Sequence, residues 1–294
     1  MKRITCQILN FNDYATVEKI VKSILDFTIF DYILIVDNAS TDNSLKMLKN
    51  KYRQNQKIKI ISTGRNGGYG YGNNFGINYA YKKLKSEYIV VTNPDVLFSQ
   101  TTISEMVKVI KQKNAAIVSA VQFVNGEPIK DKAWKVPTAL EWTLSETKRW
   151  GKRAFKKYHY TDEFFKEKIS QVECVPGAMF LINAQDFLEV GGYDESMFLY
   201  GEETTLGLKF KQRGFKTYLI NNIKYDHEHS ASINKTFPHV LQQIKILHKS
   251  KLYFYKRYLK LNKFKYLFNK LILSTLILKL SISLPIHKLI KDKS

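Results

Sequence analysis

Apolar runs of strand length alternate with helical stretches through the first half of this chain, and that alternation restricts its fold more than any other feature. The runs Ile4–Phe11, Tyr32–Val36, Ile58–Ile61 and Tyr88–Val91 have turn-rich ends. Between them lie the helical stretches Tyr14–Phe27, Asn43–Lys51 and Asn74–Lys85, and a further helix over Ser99–Lys113 leads to a strand at Ala116–Val121. Strands separated by helices pair side by side through crossovers, so the expectation is an α/β fold with a mostly parallel central sheet flanked by helices. At 294 residues and 44% hydrophobic, the chain can bury one such core with appendages. Residues 125–170 lose this periodicity and are rich in Lys, Arg, Trp and Tyr, as a surface excursion is. Order returns at Ala178–Ile182, Gly191–Arg213 and Lys216–Ile220.

Charge narrows the partners. The 47 Lys and Arg outnumber the 26 Asp and Glu, which points to phosphate groups, nucleic acid or acidic lipid. Residues 240–294 hold 13 of the basic residues and a single acid, Asp292, so this tail needs an explanation of its own. Cys6 and Cys174 lack metal-ligand spacing and read as small core residues in a reducing compartment. The chain starts directly on a strand-like run, which predicts a cytoplasmic protein without a secretory leader.

Polar clusters fall where the strands end, the place where open parallel sheets bind ligands. Asp37-Asn38-Ala39-Ser40-Thr41-Asp42 follows the second strand. Its first carboxylate can bond a base or ribose, while its later residues suit helix capping. Gly64 to Asn74 is a glycine-rich stretch before a helix, where backbone amides favour phosphate; a plain flexible loop explains it equally well. Asn93-Pro94-Asp95 follows the fourth strand and offers one carboxylate for Mg²⁺ or Mn²⁺, or simply a capped turn. Glu202 and Glu203 open a helix after Gly192-Tyr193-Asp194. Adjacent helical residues point about 100° apart, so one base and one positioning group suit them better than a facing pair. His227 and His229 lie two apart on an extended segment and point to opposite faces; at most one reaches any given site.

The order of these clusters resembles the family-2 inverting glycosyltransferases with the GT-A nucleotide-diphospho-sugar transferase fold. It is most similar to the rhamnosyltransferase and galactofuranosyltransferase branch acting on bacterial surface polysaccharides. VDNASTD, GGYGYGNN, NPDV, GGYDESMFLYGEE and a final His carry the likeness across residues 3–232. The resemblance implies transfer of rhamnose, galactofuranose or another hexose from a dTDP-, UDP- or GDP-linked donor to a hydroxyl of a lipid-linked glycan acceptor. It places Asn10, Asp37, Asn38, Arg65, Asn66, Gly68, Asn73, Asn93 and Asp95 at the donor. Asp95 and His227 then hold the metal, Glu203 is the base, and Tyr193, Asp194, Tyr200 and Glu202 face the acceptor. Three departures stand out. Asn93 replaces the first acid of the family's metal motif, Glu203 replaces an Asp, and Thr205 and Lys209 stand where Asp and Arg are usual. The implied division is a catalytic domain at 1–235, with a nucleotide half at 1–123 and an acceptor half at 124–235, then a basic helical region at 236–294.

In that region Lys249, Lys256, Lys260, Lys263 and Lys270 recur at near-helical spacing, with Phe254, Tyr258, Leu261 and Phe268 on another face. The apolar stretch Leu271–Ile286 is shorter than the ~20 residues that span a bilayer. Peripheral attachment to the anionic inner face of the cell membrane through Lys256, Arg257, Lys260 and Lys263 is the expectation, with packing on the catalytic domain as the alternative. A sugar-phosphate nucleotidyltransferase would carry a basic glycine-rich loop after its first strand, where this chain has Asn10-Phe11-Asn12-Asp13. A nucleic-acid binder would leave the acidic clusters without a role, so nucleic acid is not expected as a partner.

Overall fold

The computed structural model describes residues 3–228 and 240–291, with side chains to residue 282. Strands β1 (Arg3–Asn10), β2 (Tyr32–Asp37), β3 (Ile58–Ser62) and β4 (Ser86–Thr92) are linked by helices α1 (Tyr14–Ile24), α2 (Ser44–Tyr52) and α3 (Tyr69–Lys82). Next come β5 (Val96–Leu97), α4 (Gln100–Gln112), β6 (Ile117–Val124) and β7 (Glu127–Pro128). The excursion carries α5 (Ala139–Leu144) and α6 (Gly151–Tyr158), helices too short to leave a period in the sequence. It is followed by β8 (Ile169–Val172), β9 (Met179–Asn183), α7 (Ala184–Glu189), α8 (Glu202–Gln212) and β10 (Thr217–His227), and the chain closes with α9 (Val240–Arg257) and α10 (Lys263–Lys291).

One sheet runs in the order β3-β2-β1-β4-β9-β6-β10-β5, with β7 on β6 and β8 on β10. β1 to β4 pair in parallel, as does β6 with β10. β9 runs against both β4 and β6, so the sheet is mixed, although β1–β4, β6 and β10 all point the same way. The interior strands are covered on both faces. In β2, Ile33 and Ile35 enter the core under α1 and α4, while Leu34 and Val36 enter the core under α3 and α8. Burial on both faces is why this strand reads as a continuous apolar run. Each such aliphatic side chain contributes about 1.5–3 kcal/mol. α1 presents Val17, Ile20, Val21 and Ile24 on one stripe, and Ser99 caps α4 by accepting from the Thr102 amide at 3.1 Å.

The glycine-rich stretch differs from its sequence reading. Gly70, Gly72 and Asn73 are already inside α3, which begins at Tyr69. A Cβ at Gly72 would sit 2.5 Å from Leu9 Cδ1, so that glycine lets the helix lie close against the sheet. Asn73 is correspondingly turned inward. Its Oδ1 accepts from Gln7 at 2.9 Å, and it is 1% exposed, so it braces the helix from within.

The tail also departs from its expected form. The helix ends at Arg257, and Phe254 and Phe268 do not share a face: Phe254 is fully buried and Phe268 is 55% exposed on the next helix. α9 packs on the excursion through Phe254 and Tyr255, which meet Ala139 and Trp142. Lys256, Arg257, Lys260 and Lys263 are exposed. Among the described residues no helix is long and apolar enough to cross a membrane.

Candidate active site

Four strand ends and one helix start converge on the site. Beyond β1 and β2, Asp37 accepts from Asn10 Nδ2 at 2.8 Å and from the amide and hydroxyl of Ser40 at 3.0 and 2.6 Å. Its carboxylate is fully buried and builds the turn. Asn38 Nδ2 donates to Asn66 Oδ1 and to the Gly68 carbonyl, both at 3.1 Å, tying this turn to the glycine-rich segment. Arg65 lies over the Tyr71 ring at 4.3 Å and is exposed.

Beyond β4, the antiparallel pairing of β5 with β10 sets Val96 opposite His227. Asp95 Oδ1 thereby comes within 3.1 Å of His227 Nε2. The other ring nitrogen of His227 meets Gln122 Nε2 at 2.9 Å, and Tyr225 donates its hydroxyl to Gln122 Oε1 at 3.1 Å. The two residues expected to share a cation are brought together. No group of three or more His, Cys, Asp or Glu gathers as a metal cluster among the described residues. One carboxylate and one imidazole suit a divalent ion that completes its shell with diphosphate oxygens and water. His229 lies outside the described residues.

Glu202 and Glu203 start α8 after Tyr200 and Gly201, both in the left-handed backbone region at φ 70° and 88°. Both carboxylates border one cavity of about 460 Å³, with Asn93, Gly177, Tyr200 and His227. Their environments separate them. Burial, then the charge of Glu203, push the Glu202 carboxyl well above the carboxylate range, and its Oε1 has no hydrogen-bond partner among the described residues. Burial also raises Glu203, but its own amide and that of Gly177 oppose the rise by bonding the carboxylate. A Cβ on Gly177 would lie 2.4 Å from Glu203 Oε1, so only glycine admits this approach. Glu203 is therefore the member of the pair better kept ionised, and Glu202 the member better kept protonated.

Of the residues expected at the acceptor, Tyr200 and Glu202 line the cavity, whereas Tyr193 and Asp194 do not. Tyr193 is buried edge-on against Tyr69 and Phe187 at 5.7 and 5.4 Å. Asp194 accepts from Tyr253 at 3.0 Å and Tyr258 at 2.6 Å, which anchors the loop before α8 to the C-terminal region. Thr205 donates to the Gly201 carbonyl at 2.9 Å and Lys209 to that of Gly192 at 2.7 Å, so the two unusual residues hold the same loop.

Sequence reasoning missed Gln122, Trp134, Trp142, Tyr158 and His159, which also line the cavity. The aromatic and basic composition of the excursion was the only signal for the last four, and Gln122, near the end of β6, carried none. Trp134 Nε1 donates to Thr204 Oγ1 at 3.1 Å, and His159 stacks on Phe155 at 3.4 Å.

The mixed sheet, with carboxylates at its strand ends, has the GT-A fold. A solved structure of GalNAc-T7 with UDP, GalNAc and Mn²⁺ shares the fold at a TM-score of 0.61 and 18% identity; the match covers 87% of this chain but only 50% of that one. The sequence model described as Glycosyl transferase family 2 matches residues 6–185, and the chain belongs to that family. Rhamnosyltransferase WbbL of Escherichia coli (strain K12) is 23% identical over 231 residues, covering 68% of this chain and 85% of the relative. The N-acetylglucosaminyl-diphospho-decaprenol L-rhamnosyltransferase of Mycobacterium tuberculosis is 22% identical over 214 residues, covering 69% and 68%. The protein is thus a glycosyltransferase using a nucleotide-sugar donor.

Proposed function

We propose that the protein transfers L-rhamnose, with inversion, from a nucleotide-diphosphate donor to a hydroxyl of a lipid-linked glycan at the inner face of the cell membrane. The rhamnosyltransferase relatives support the choice of sugar, and the decaprenol-linked acceptor in one relative's name supports the acceptor class. The observation that carries the chemistry is Glu203 at the cavity wall, half-buried and with its carboxylate set against Gly177. Glu203 takes the proton from the attacking hydroxyl, and protonated Glu202 donates to an acceptor oxygen and orients it. The donor lies over Asn10, Asp37, Asn38, Arg65, Asn66 and Gly68, with Asp37 shaping the turn and Arg65 free to meet phosphate. Asn93 and Asp95 stand at its diphosphate end. Asp95 and His227 would hold Mg²⁺ or Mn²⁺, which when bound would offset charge on the departing diphosphate.

Residues 1–123 form the donor half in this reading, 124–235 the acceptor half and 236–294 the membrane-facing region. The boundary at 235 lies outside the described residues. The test is to offer dTDP-, UDP- and GDP-sugars with a polyprenyl-diphosphate-linked N-acetylglucosamine and to determine the anomer formed. Consumption of dTDP-rhamnose with inversion is expected. Exclusive use of another donor overturns the sugar, and retention of configuration overturns the single displacement.

A further inference from the structure

α10 carries an apolar stripe on its exposed side. Phe264, Leu267, Phe268, Leu271, Leu278 and Ile282 are all exposed, Phe264 at 86%. At about 100° and 1.5 Å per residue, these six fall within an arc of roughly 100° that runs about 27 Å along the helix. The opposite side is occupied. Leu273 is buried, and Tyr266 and Leu276 pack into the cluster formed with Phe254 and Tyr255. Single exposed apolar residues are ordinary, but a stripe of this length, interrupted only by Thr275, is not.

Charge frames the stripe. On the same projection Lys263 and Lys270 fall along one edge and Lys265 and Lys279 along the other, all exposed. α10 contains no Asp or Glu. We propose that this face is the membrane-docking element: α10 lies in the plane of an anionic bilayer, with the apolar stripe below the headgroups and the flanking lysines at the level of the lipid phosphates. A uniformly anionic plane complements both cationic edges at once. A second copy of this chain would bring the same lysines face to face in a two-fold contact. The proposal rests on the membrane reading given above and moves its weight from the basic residues around Arg257 to the apolar face of α10.

Docking at this face has a consequence for the site. Trp142 of α5 packs in the cluster that holds α10, and it also lines the catalytic cavity, as does Leu247 of α9. The bilayer surface would thus be fixed relative to the cavity through one packed unit, which suits an acceptor whose lipid stays in the membrane.

Flotation of the full chain at low salt with vesicles of phosphatidylcholine, alone or mixed with phosphatidylglycerol, tests this. The combined variant Phe264→Ser, Phe268→Ser, Leu271→Ser changes only exposed positions. It should lose at least about tenfold in affinity for the mixed vesicles, with unchanged transfer to a soluble, lipid-free acceptor analogue. Lys265→Gln with Lys279→Gln should weaken binding and flatten its salt dependence. If the wild-type chain fails to bind the mixed vesicles, the membrane reading falls and this proposal with it. If it binds and the apolar variant binds equally well, the stripe is wrong while the membrane reading stands. If light scattering shows the apolar variant converting a dimer to a monomer with vesicle binding intact, a second copy covers the stripe and the proposal is overturned.

Discussion

Asp95 Oδ1 and His227 Nε2 lie 3.1 Å apart although 132 residues separate them in sequence, and the antiparallel pairing of β5 with β10 creates the contact. Gln122 holds the second nitrogen of His227, so the ring is oriented from behind. Removing divalent ions with EDTA should abolish transfer, and Mn²⁺ or Mg²⁺ should restore it. Gln122→Met leaves both candidate ligands in place and should raise the metal concentration for half-maximal rate by about 10–100-fold. Full activity in thoroughly chelated protein would remove the metal from the reaction.

Glu203 must be ionised to accept a proton, and burial raises its carboxyl. kcat should therefore climb with pH through a window above the ordinary carboxylate range rather than within it. Glu203→Gln should lower kcat by about 10²–10⁴-fold. Glu203→Asp withdraws the base by one carbon and should retain part of the rate. A pH profile that stays flat above the ordinary carboxylate range would assign the base elsewhere.

Glu202 predicts an effect on stability with the opposite sign to that of a paired carboxylate. Its folded carboxyl is raised well above the ordinary value, by burial first and by Glu203 second. The folded chain holds a proton there that the unfolded chain releases near ~4.3. Stability is therefore fully present below that pH and declines as pH rises toward the folded value. Glu202→Gln removes the decline and should stabilise the protein by about 1–3 kcal/mol near neutrality. Urea midpoints of both proteins across pH check it, with the gap widening as pH rises.

The sheet was legible because its interior strands are buried on both faces, which writes β2 as an unbroken apolar run. The inversion of β9 was not, since a buried strand has the same composition in either direction. Asp95 and Glu203 stood out as candidates because carboxylates after a strand or at a helix start are conspicuous. Gln122, Trp134 and Trp142 could not, because their role depends on which loops meet over the sheet, and no local spacing records that. Tyr193 shows the reverse error. It sits beside the acidic motif in sequence, yet it belongs to the core.

Lys251 joins the tail to the catalytic unit. It is 2% exposed, bonds the Trp142 carbonyl at 2.9 Å and pairs with Glu146, which also meets His248. Burial pushes the Glu146 carboxyl up, but the bond from His248 and the charge of Lys251 outweigh it and hold it below the ordinary range. That stability is present above the unfolded pKa and is lost as pH falls through the folded one. Glu146→Ala strands a buried ammonium and should cost about 3–5 kcal/mol at neutral pH, whereas Glu146→Leu with Lys251→Met should recover most of the loss. Because Trp142 also lines the cavity, the single variant should raise the KM for acceptor more than that for donor. If neither variant destabilises the protein, α9 is held by Phe254 and Tyr255, with the ion pair contributing nothing to its attachment.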